Sequence, residues 1–350
     1  MQAVQLDAST GQLQLRVVDV PRARGEDVLV QVAFSGVCGT DLHAMQGGFP
    51  CRQTGPLTLG HEFCGVVRAV GDQVRVVKVG DRVAVNPKRG CDRCGLCQDG
   101  RYQFCEVDAA AHSVGMWRDG GWAELCLVPE KNLHRLPAGM SLRQASLMEP
   151  LSCVVHGWEL AAPLPVGSRV LVLGAGVIGN LWAALLHHHG HRQVTVSEPL
   201  EGRRRALHKL GTGYEVVSPA ELRAKPAGWT VDLVVDCSGH APAVQHALGL
   251  LGPGGTLLLF GVAPPRAVIS ISPYDMYKNE LKIKAVNRNP FTCNKALGLI
   301  EAMGDRYIDF EKLGVKTFRL TEYKSAIEEL AKGSISKAMF EVDAEFPKGA

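Results

Sequence analysis

One short segment, an apolar strand followed by a glycine-rich turn, restricts the fold more than any other part of this 350-residue chain. Residues 168–173 read Ser-Arg-Val-Leu-Val-Leu, and the turn Gly-Ala-Gly-Val-Ile-Gly follows at 174–179, before an apolar helix that continues to Leu186. A continuous apolar strand is typical of a parallel sheet covered on both faces. A G-x-G-x-x-G motif between a strand and a helix indicates a dinucleotide site, with the pyrophosphate at the helix N-terminus. A Gly-rich turn of some other α/β protein is the alternative.

The residues after this turn continue the alternation of strand and helix, with strands predicted at 193–197, 231–237 and 255–261. This pattern predicts a doubly wound parallel sheet, so the fold class is α/β. Glu198 ends the second strand, 19 residues after Gly179, where an acidic side chain binds the adenine ribose hydroxyls. Because a carboxylate at that point repels a 2′-phosphate, we expect NAD rather than NADP.

The N-terminal part of the chain has a different pattern, with short strands separated by Gly and Pro turns up to Pro129. Strands are predicted at 1–15, 27–34, 63–70 and 81–85. They indicate an antiparallel, barrel-like domain. Near the C-terminus, two helices are predicted at 295–304 and 322–332, followed by a closing strand at 340–342.

Two short motifs in the N-terminal part carry groups that bind metals. Cys38, His61 and Glu62 offer a thiolate, an imidazole and a carboxylate, a set that suits zinc with one coordination position left open. Thr40 and His43 lie in the same turn as Cys38, and their side chains are suited to relay a proton. Capping of a turn by Thr40 and a hydrogen bond from His43 to a cofactor ribose are the alternatives.

A cysteine-rich loop follows. Its thiols are Cys91, Cys94, Cys97 and Cys105, with a C-x-x-C-x-x-C spacing for the first three. Four thiolates form a closed, structural zinc site. A disulfide pair and an iron–sulfur cluster are the alternatives. An untargeted chain argues against the disulfide, and the short spacing within a Gly-rich loop favours zinc.

Composition excludes several classes of function. The chain is 46% hydrophobic and 21% charged, with a formal charge of +3, which is too balanced to predict binding to nucleic acid or to an anionic membrane. There is no apolar run of about 20 residues for a membrane span and no signal-peptide pattern at the N-terminus. We therefore expect a cytoplasmic protein with a small-molecule substrate.

The motifs and their order resemble those of the zinc-containing medium-chain dehydrogenases over essentially the whole length. The resemblance is strongest to the sorbitol and other polyol dehydrogenases, with L-threonine 3-dehydrogenase as a near relative. It implies a GroES-like, β-rich catalytic domain split between residues 1–155 and 287–350. A Rossmann domain at 156–286 would be inserted between them.

The resemblance also implies roles at the metal sites. Cys38 and His61 would bind a catalytic zinc, and Glu62 would be a third ligand that exchanges with water or with Glu149. Asp41 would orient His61. Residues Cys91, Cys94, Cys97 and Cys105 match the structural zinc lobe one for one.

The same resemblance implies a set of nicotinamide-cofactor residues: Gly174, Gly176, Ile178 and Gly179 at the pyrophosphate, Glu198 at the ribose, Arg203 beside the adenosine, and Val262, Asn287 and Arg288 around the nicotinamide. Arg288 and Glu149 would also contact substrate. In the proposed proton path, Thr40 accepts from the alcohol and His43 passes the proton on, with Glu149 as a second acceptor.

The reaction implied is the NAD-dependent interconversion of a polyol and its ketose by a homodimer or homotetramer. Ala44 departs from the aromatic residue that sorbitol dehydrogenases usually have after the Cys-Gly-x-Asp-x-His turn, which argues against sorbitol itself. One alternative is oxidation of an amino alcohol, as in L-threonine 3-dehydrogenase. Another is a non-catalytic nucleotide-binding or crystallin-like structural protein, which would not need the reactive groups around Cys38.

Overall fold

A computed structural model describes residues 1–7, 9–48, 50–107 and 113–342. The end of the segment 287–350, from residue 343 onward, therefore lies outside the described residues. Within those ranges, no helix has the length and apolar character needed to cross a bilayer.

The strands of the described residues, numbered in chain order, are β1 (Gln2–Asp7), β2 (Gln12–Val17), β3 (Asp27–Gly36), β4 (Leu57–Thr58), β5 (Glu62–Val70), β6 (Arg82–Val85), β7 (Leu125–Pro129), β8 (Leu133–Arg135), β9 (Val170–Leu173), β10 (Val194–Ser197), β11 (Glu215–Val217), β12 (Val231–Asp236), β13 (Leu251–Leu259), β14 (Lys282–Ala285), β15 (Val315–Phe318) and β16 (Lys337–Glu341).

The α-helices within the described ranges are α1 (Gly39–Met45), α2 (Gly95–Gln98), α3 (Leu142–Ala145), α4 (Met148–Ala161), α5 (Val177–His188), α6 (Glu201–His208), α7 (Pro219–Arg223), α8 (Ala241–Leu248), α9 (Pro273–Asn279), α10 (Cys293–Tyr307), α11 (Phe310–Leu313) and α12 (Tyr323–Ala331). The same ranges contain short 3₁₀ turns at Tyr102–Phe104, Glu130–Asn132 and Leu320–Glu322.

Six parallel strands form the sheet predicted around the glycine-rich turn. Their order is β11-β10-β9-β12-β13-β14, which is the 3-2-1-4-5-6 order of a doubly wound dinucleotide-binding sheet. All four residues of β9 are buried, as expected for a central strand covered on both faces. The predicted α/β fold with a parallel sheet is confirmed, although its two edge strands, β11 and β14, were not predicted.

A second, mostly antiparallel sheet holds the β-rich part of the chain. Its order is β15-β16-β3-β5-β6-β8, and β7 pairs with β3 as well. The strand β3 is long enough to pair with both β7 and β16 along the same edge. Residues 27–31 pair with β7, and residues 34–36 pair with β16. A strand near the C-terminus thus joins a sheet that begins at residue 27.

The first predicted strand is wrong in its extent. Residues 1–15 form the larger part of a hairpin, β1 and β2, and β4 adds a third strand to it. Gly11 donates from its backbone N–H to Asp7 O at 2.8 Å, and its φ of +70° allows the chain to reverse there. The alternation of residues continued through the turn and concealed it.

The strand predicted at 255–261 begins earlier and ends earlier than expected. β13 starts at Leu251, and its pairing with β12 shifts register between the pairs Val231–Leu251 and Leu233–Thr256. The Gly-Pro-Gly-Gly run at 252–255 therefore forms an irregularity inside the strand instead of a turn before it.

One hydrophobic core joins the two parts of the molecule. Its buried members include Phe34 of β3, Val154 of α4, Trp182 of α5 and Ile300 of α10. Helices α4 and α10 pack on each other between the sheets. Helix α4 also contacts β5 and β6 of the mostly antiparallel sheet and β13 of the parallel sheet, so it lies at the junction of the two.

Candidate metal centre and dinucleotide site

Antiparallel pairing of β3 with β5 brings together the three groups expected to bind metal. Gly36 at the end of β3 lies opposite Glu62 at the start of β5. Cys38 follows β3 as the N-cap residue of α1, and His61 precedes β5. Residues that are 23 positions apart in sequence therefore meet at one end of a strand pair.

Cys38, His61 and Glu62 form a compact cluster. Each offers one ligand atom, and the three atoms all lie within 4.8 Å of one another. His61 and Glu62 are buried, and Cys38 is half-buried. One thiolate, one imidazole and one carboxylate fit a zinc ion that keeps a position for a further ligand.

Asp41 orients two members of this cluster. Its Oδ2 accepts a hydrogen bond from the backbone N–H of Cys38 at 2.8 Å, and its Oδ1 lies 3.3 Å from His61 Nδ1. The Asp41 side chain is fully buried. Contact on the Nδ1 side of the ring leaves Nε2 as the metal donor, which is a common arrangement at zinc sites.

A buried lysine, not found from sequence, completes the cluster. Lys337 Nζ donates to Glu62 Oε2, and the Lys337 side chain is 1% exposed. Burial raises the pKa of Glu62, but the Lys337 ammonium, His61 and the hydrogen bonds to the carboxylate together outweigh this and hold that pKa below its ordinary value. The available signal was a lysine at the start of an apolar run, Ala338 to Phe340, that is buried throughout.

Glu149 lies beside the cluster. It is in the first turn of α4, is 9% exposed, and its Oε1 accepts from Cys153 Sγ at 3.7 Å. Burial, together with the Glu62 carboxylate, raises the pKa of Glu149 to about 7. Among the described residues, the group of mutually close ligand atoms contains Cys38, His61 and Glu62 but not Glu149.

The two residues expected to move protons, Thr40 and His43, both lie on α1 and are half-buried. They are three positions apart, so their side chains lie on the same face of the helix. The helix starts at the residue after Cys38, so this face begins next to the metal cluster.

The four cysteines of the loop form a second cluster. All four sulfurs lie within 4.8 Å of one another, with Cys91 Sγ 3.9 Å from Cys97 Sγ and Cys94 Sγ 3.8 Å from Cys105 Sγ. A tetrahedron with Zn–S bonds of about 2.3 Å has sulfur–sulfur edges of about 3.8 Å. A disulfide needs about 2.05 Å, and all eleven cysteines are free. The geometry fits a structural zinc ion and excludes the disulfide pair.

The glycine-rich turn fits a dinucleotide. Gly174 has φ +97°, and a Cβ on Gly179 would overlap Gly174 O, so neither position tolerates a side chain. Gly176 is the N-cap residue of α5, and a Cβ there would meet no atom within 4 Å. Ile178 lies in the first turn of that helix. The open side of Gly176 therefore faces the space where a helix N-terminus binds pyrophosphate.

Glu198 is buried and engages the same turn. Its Oε2 accepts from the Ala175 backbone N–H at 2.7 Å, and its Oε1 accepts from Leu200 N–H at 2.9 Å. It is 2% exposed. Each carboxylate oxygen has a second lone pair, so a ribose hydroxyl remains an acceptable partner.

Two arginines lie near Glu198. Arg203, expected beside the adenosine, donates from Nη2 to Ile335 O at 3.1 Å. Arg204 donates from Nη1 to Glu198 O at 2.8 Å and to Pro199 O at 2.7 Å, and was missed in the sequence. Its place in a basic run, 203–205, gave no reason to separate it from a solvated helix face.

The residues expected at the nicotinamide follow the carboxyl ends of strands in the parallel sheet. Val262 comes after β13, and Asn287 and Arg288 come after β14; all three are exposed. Arg288 has φ +60°, and its Nη1 donates to Gln103 O at 2.6 Å, beside the cysteine loop. Ligands of open α/β sheets bind at this edge.

A parallel-sheet domain with a dinucleotide turn, joined to a domain with a Cys-His-Glu cluster, defines a metal- and nucleotide-dependent oxidoreductase. Residues 24–138 match the family model for an alcohol dehydrogenase GroES-like domain, and residues 177–302 match the model for a zinc-binding dehydrogenase. The chain belongs to the zinc-binding, medium-chain alcohol dehydrogenase family.

Its relatives include polyol dehydrogenases. D-altritol 5-dehydrogenase of Agrobacterium fabrum is 35% identical over 301 residues, 83% of this chain and 85% of that protein. L-threonine 3-dehydrogenase of Caldanaerobacter subterraneus is 30% identical over 92% of this chain and 93% of its own length. Three further relatives are named for arabitol phosphate, arabinitol and xylulose.

A solved structure shows the same fold. A zinc-binding dehydrogenase from Sinorhizobium meliloti bound to NADP is 33% identical, with a TM-score of 0.87 over 97% of this chain and 98% of that one.

Proposed function

We propose that this protein is a zinc- and NAD-dependent polyol dehydrogenase, which interconverts a secondary alcohol of a sugar alcohol and the corresponding ketose. The observation that carries this proposal is the cluster of Cys38, His61 and Glu62 with Glu149 beside it, in a chain of this family. We further propose a catalytic domain of residues 1–155 and 287–350, a Rossmann domain of residues 156–286, a cytoplasmic location and a homodimer or homotetramer.

The residues proposed for metal binding divide into two sites. Cys38, His61 and Glu62 would hold the catalytic zinc, and the four clustered cysteines, Cys91, Cys94, Cys97 and Cys105, would hold the structural zinc. A bound zinc ion would supply Lewis acidity to a coordinated hydroxyl group, and a bound nicotinamide would supply the hydride acceptor.

We propose that side chains of the protein transfer the proton and bind the substrate. The Thr40 hydroxyl accepts the proton of the alcohol, and His43 on the same face of α1 passes it towards solvent. Glu149 is a second acceptor at the junction of the two sheets. The Arg288 guanidinium, held by Gln103 O, binds hydroxyl oxygens of the polyol.

The dinucleotide would lie along the carboxyl edge of the parallel sheet. Gly174, Gly176, Ile178 and Gly179 would surround the pyrophosphate, with Glu198 at the ribose, Arg203 at the adenosine, and Val262, Asn287 and Arg288 at the nicotinamide. The buried Glu198 carboxylate supports NAD, because its charge repels a 2′-phosphate. NADP in the Sinorhizobium relative makes this preference a question for direct measurement.

Ala44 stands where sorbitol dehydrogenases usually have an aromatic residue. Ala44 is 5% exposed and packs in a core cluster with Val4 and Leu57. Its small, buried side chain contributes no aromatic surface near α1. We therefore propose a polyol other than sorbitol.

Oxidation of L-threonine is the second candidate, because a relative that is 30% identical carries that name. An activity screen of four- to six-carbon polyols and L-threonine, each with NAD and NADP, separates the two. Formation of reduced nicotinamide with a polyol and NAD supports the proposal. Turnover with L-threonine and with none of the polyols would replace the polyol proposal by the threonine one. A preference for NADP would overturn the assignment of Glu198.

A further inference from the structure

Lys337 is among the largest fully buried side chains of the described residues, although it carries an ammonium group. A buried charge is costly unless it is paired and hydrogen-bonded. Its position in β16, between Ser336 and Ala338, is otherwise suited to an apolar or small residue, since the first four residues of this strand are all buried. The buried ammonium group of Lys337 therefore requires polar contacts that compensate for its burial.

Its contacts are with the metal cluster. Lys337 Nζ donates to Glu62 Oε2, and it also donates to the carbonyl of Val37 at 3.2 Å, the residue before Cys38. Gly36 leaves room for this arrangement, because a Cβ at that position would overlap the Glu62 carboxylate and lie 2.7 Å from Lys337 Cε. Three chain segments thus meet at one ammonium group.

The same short segment also touches the dinucleotide turn. Ser336 O accepts from the Val177 backbone N–H at 3.3 Å, and Ser336 Oγ donates to Ala175 O at 3.3 Å. Residues 336 and 337 therefore connect the turn proposed for pyrophosphate with the carboxylate proposed for zinc. This fixes Lys337 by contacts from both parts of the molecule.

We propose that Lys337 is a positioning residue for the catalytic metal, an inference that rests on the proposed function. The Lys337 ammonium lies against Glu62 Oε2 and repels a second cation there, so Glu62 offers the metal its other oxygen alone and exchanges readily. A carboxylate without this partner has two oxygens to offer the same ion. Lys337 thereby keeps a coordination position available for the substrate hydroxyl.

The test compares Lys337→Met, which removes the charge but keeps most of the length, with Lys337→Arg, which keeps the charge. We expect Lys337→Met to slow the loss of catalytic zinc to a chelator by about 10-fold, a change similar in size and opposite in sign to the loss of affinity that removal of an outer partner usually causes. The cobalt-substituted variant should absorb more weakly in the visible range, because cobalt(II) with a higher coordination number has weaker d–d bands. Lys337→Arg should resemble the wild type in both measurements.

A second pair of variants excludes a purely structural effect. In a Glu62→Gln background the carboxylate is gone, so adding Lys337→Met should not slow zinc loss further. The melting temperature of each variant, measured alongside, reports whether it is folded. Equal or faster zinc loss from Lys337→Met, or the same slowing in the Glu62→Gln background, would overturn the inference. A wild-type protein that binds no metal at Cys38 and His61 would instead overturn the proposed function, and this inference with it.

Discussion

Gly36 and Glu62 are partners in the antiparallel register of β3 and β5, and the absence of a side chain on Gly36 makes space for the Glu62 carboxylate. The backbone pairing sets where the ligand lies, and the glycine sets whether it fits. Strand register and metal chemistry are therefore coupled at this one pair.

Substitution of Gly36 tests that coupling. A Cβ in Gly36→Ala would overlap the Glu62 carboxylate and crowd Lys337, so we expect loss of the catalytic zinc and destabilisation by about 1–3 kcal/mol, as for other overpacked cores. Zinc content and the free energy of unfolding are the measurements. Gly39→Ala is the matched control, because a Cβ there would meet no atom within 4 Å. Two zinc ions per chain in Gly36→Ala would contradict the prediction.

The cysteine loop yields a prediction about stability. Cys97→Ser removes one corner of the four-sulfur cluster, so zinc content should fall from two ions per chain to one. Because binding energy at a structural zinc site is also folding energy, the melting temperature should fall clearly. Cys51→Ser removes a buried thiol outside both clusters and should leave the zinc content at two. An unchanged zinc content in Cys97→Ser would show that the loop does not bind the ion.

Cofactor choice can be tested at Glu198. In Glu198→Gln the charge is removed while the side chain keeps its shape and its Oε1 acceptor. We expect the NAD-to-NADP ratio of kcat/KM to fall by about 10-fold, equivalent to about 1.4 kcal/mol. Glu201→Gln, an exposed residue paired with Arg205, is the control and should leave the ratio unchanged. If the ratio of Glu198→Gln equals that of the wild type, the carboxylate does not select the cofactor.

The half-buried histidine His134 predicts a pH effect on stability. Burial lowers the pKa of His134; the hydrogen bond between its Nδ1 and Asn294 Oδ1, at 2.7 Å, opposes this in part, and the nearby Arg89 adds to the lowering. Because the folded pKa is below the unfolded value of about 6.5, the stabilising contribution is complete above that pH and is lost as the pH falls below it. The fall in melting temperature between about pH 7.5 and about pH 5 should be smaller in His134→Gln than in the wild type. An identical fall in both proteins would count against the prediction.

The part of the fold that depends on local pattern could be predicted from sequence. The apolar strand, the glycine turn and the following helix appear as β9, residues 174–176 and α5, close to the expected bounds. The hairpin in residues 1–15 was missed because alternation of polar and apolar residues continues through its turn. The start of β13 was misplaced because a Gly-Pro-Gly-Gly run resembles a turn even when it lies inside a strand.

The candidate site also contains residues that local motifs predict and a residue that they do not. Cys38, Glu62 and the four clustered cysteines have the spacing of recognisable motifs, so their chemistry could be predicted. Lys337 is 275 positions from Glu62, and only the pairing of β16 with β3 brings it to the carboxylate. A contact that depends on long-range strand pairing leaves almost no local signal.

The most direct measurement is the zinc content of Cys38→Ala together with its polyol-dependent reduction of NAD. We predict one zinc ion per chain, retained in the four-cysteine loop, and a turnover number reduced by at least about 10³-fold, within the range that catalytic metal ions contribute. The melting temperature should stay close to that of the wild type. A variant that binds one zinc ion and still reduces NAD at the wild-type rate would contradict the assignment of Cys38, His61 and Glu62 to the catalytic zinc.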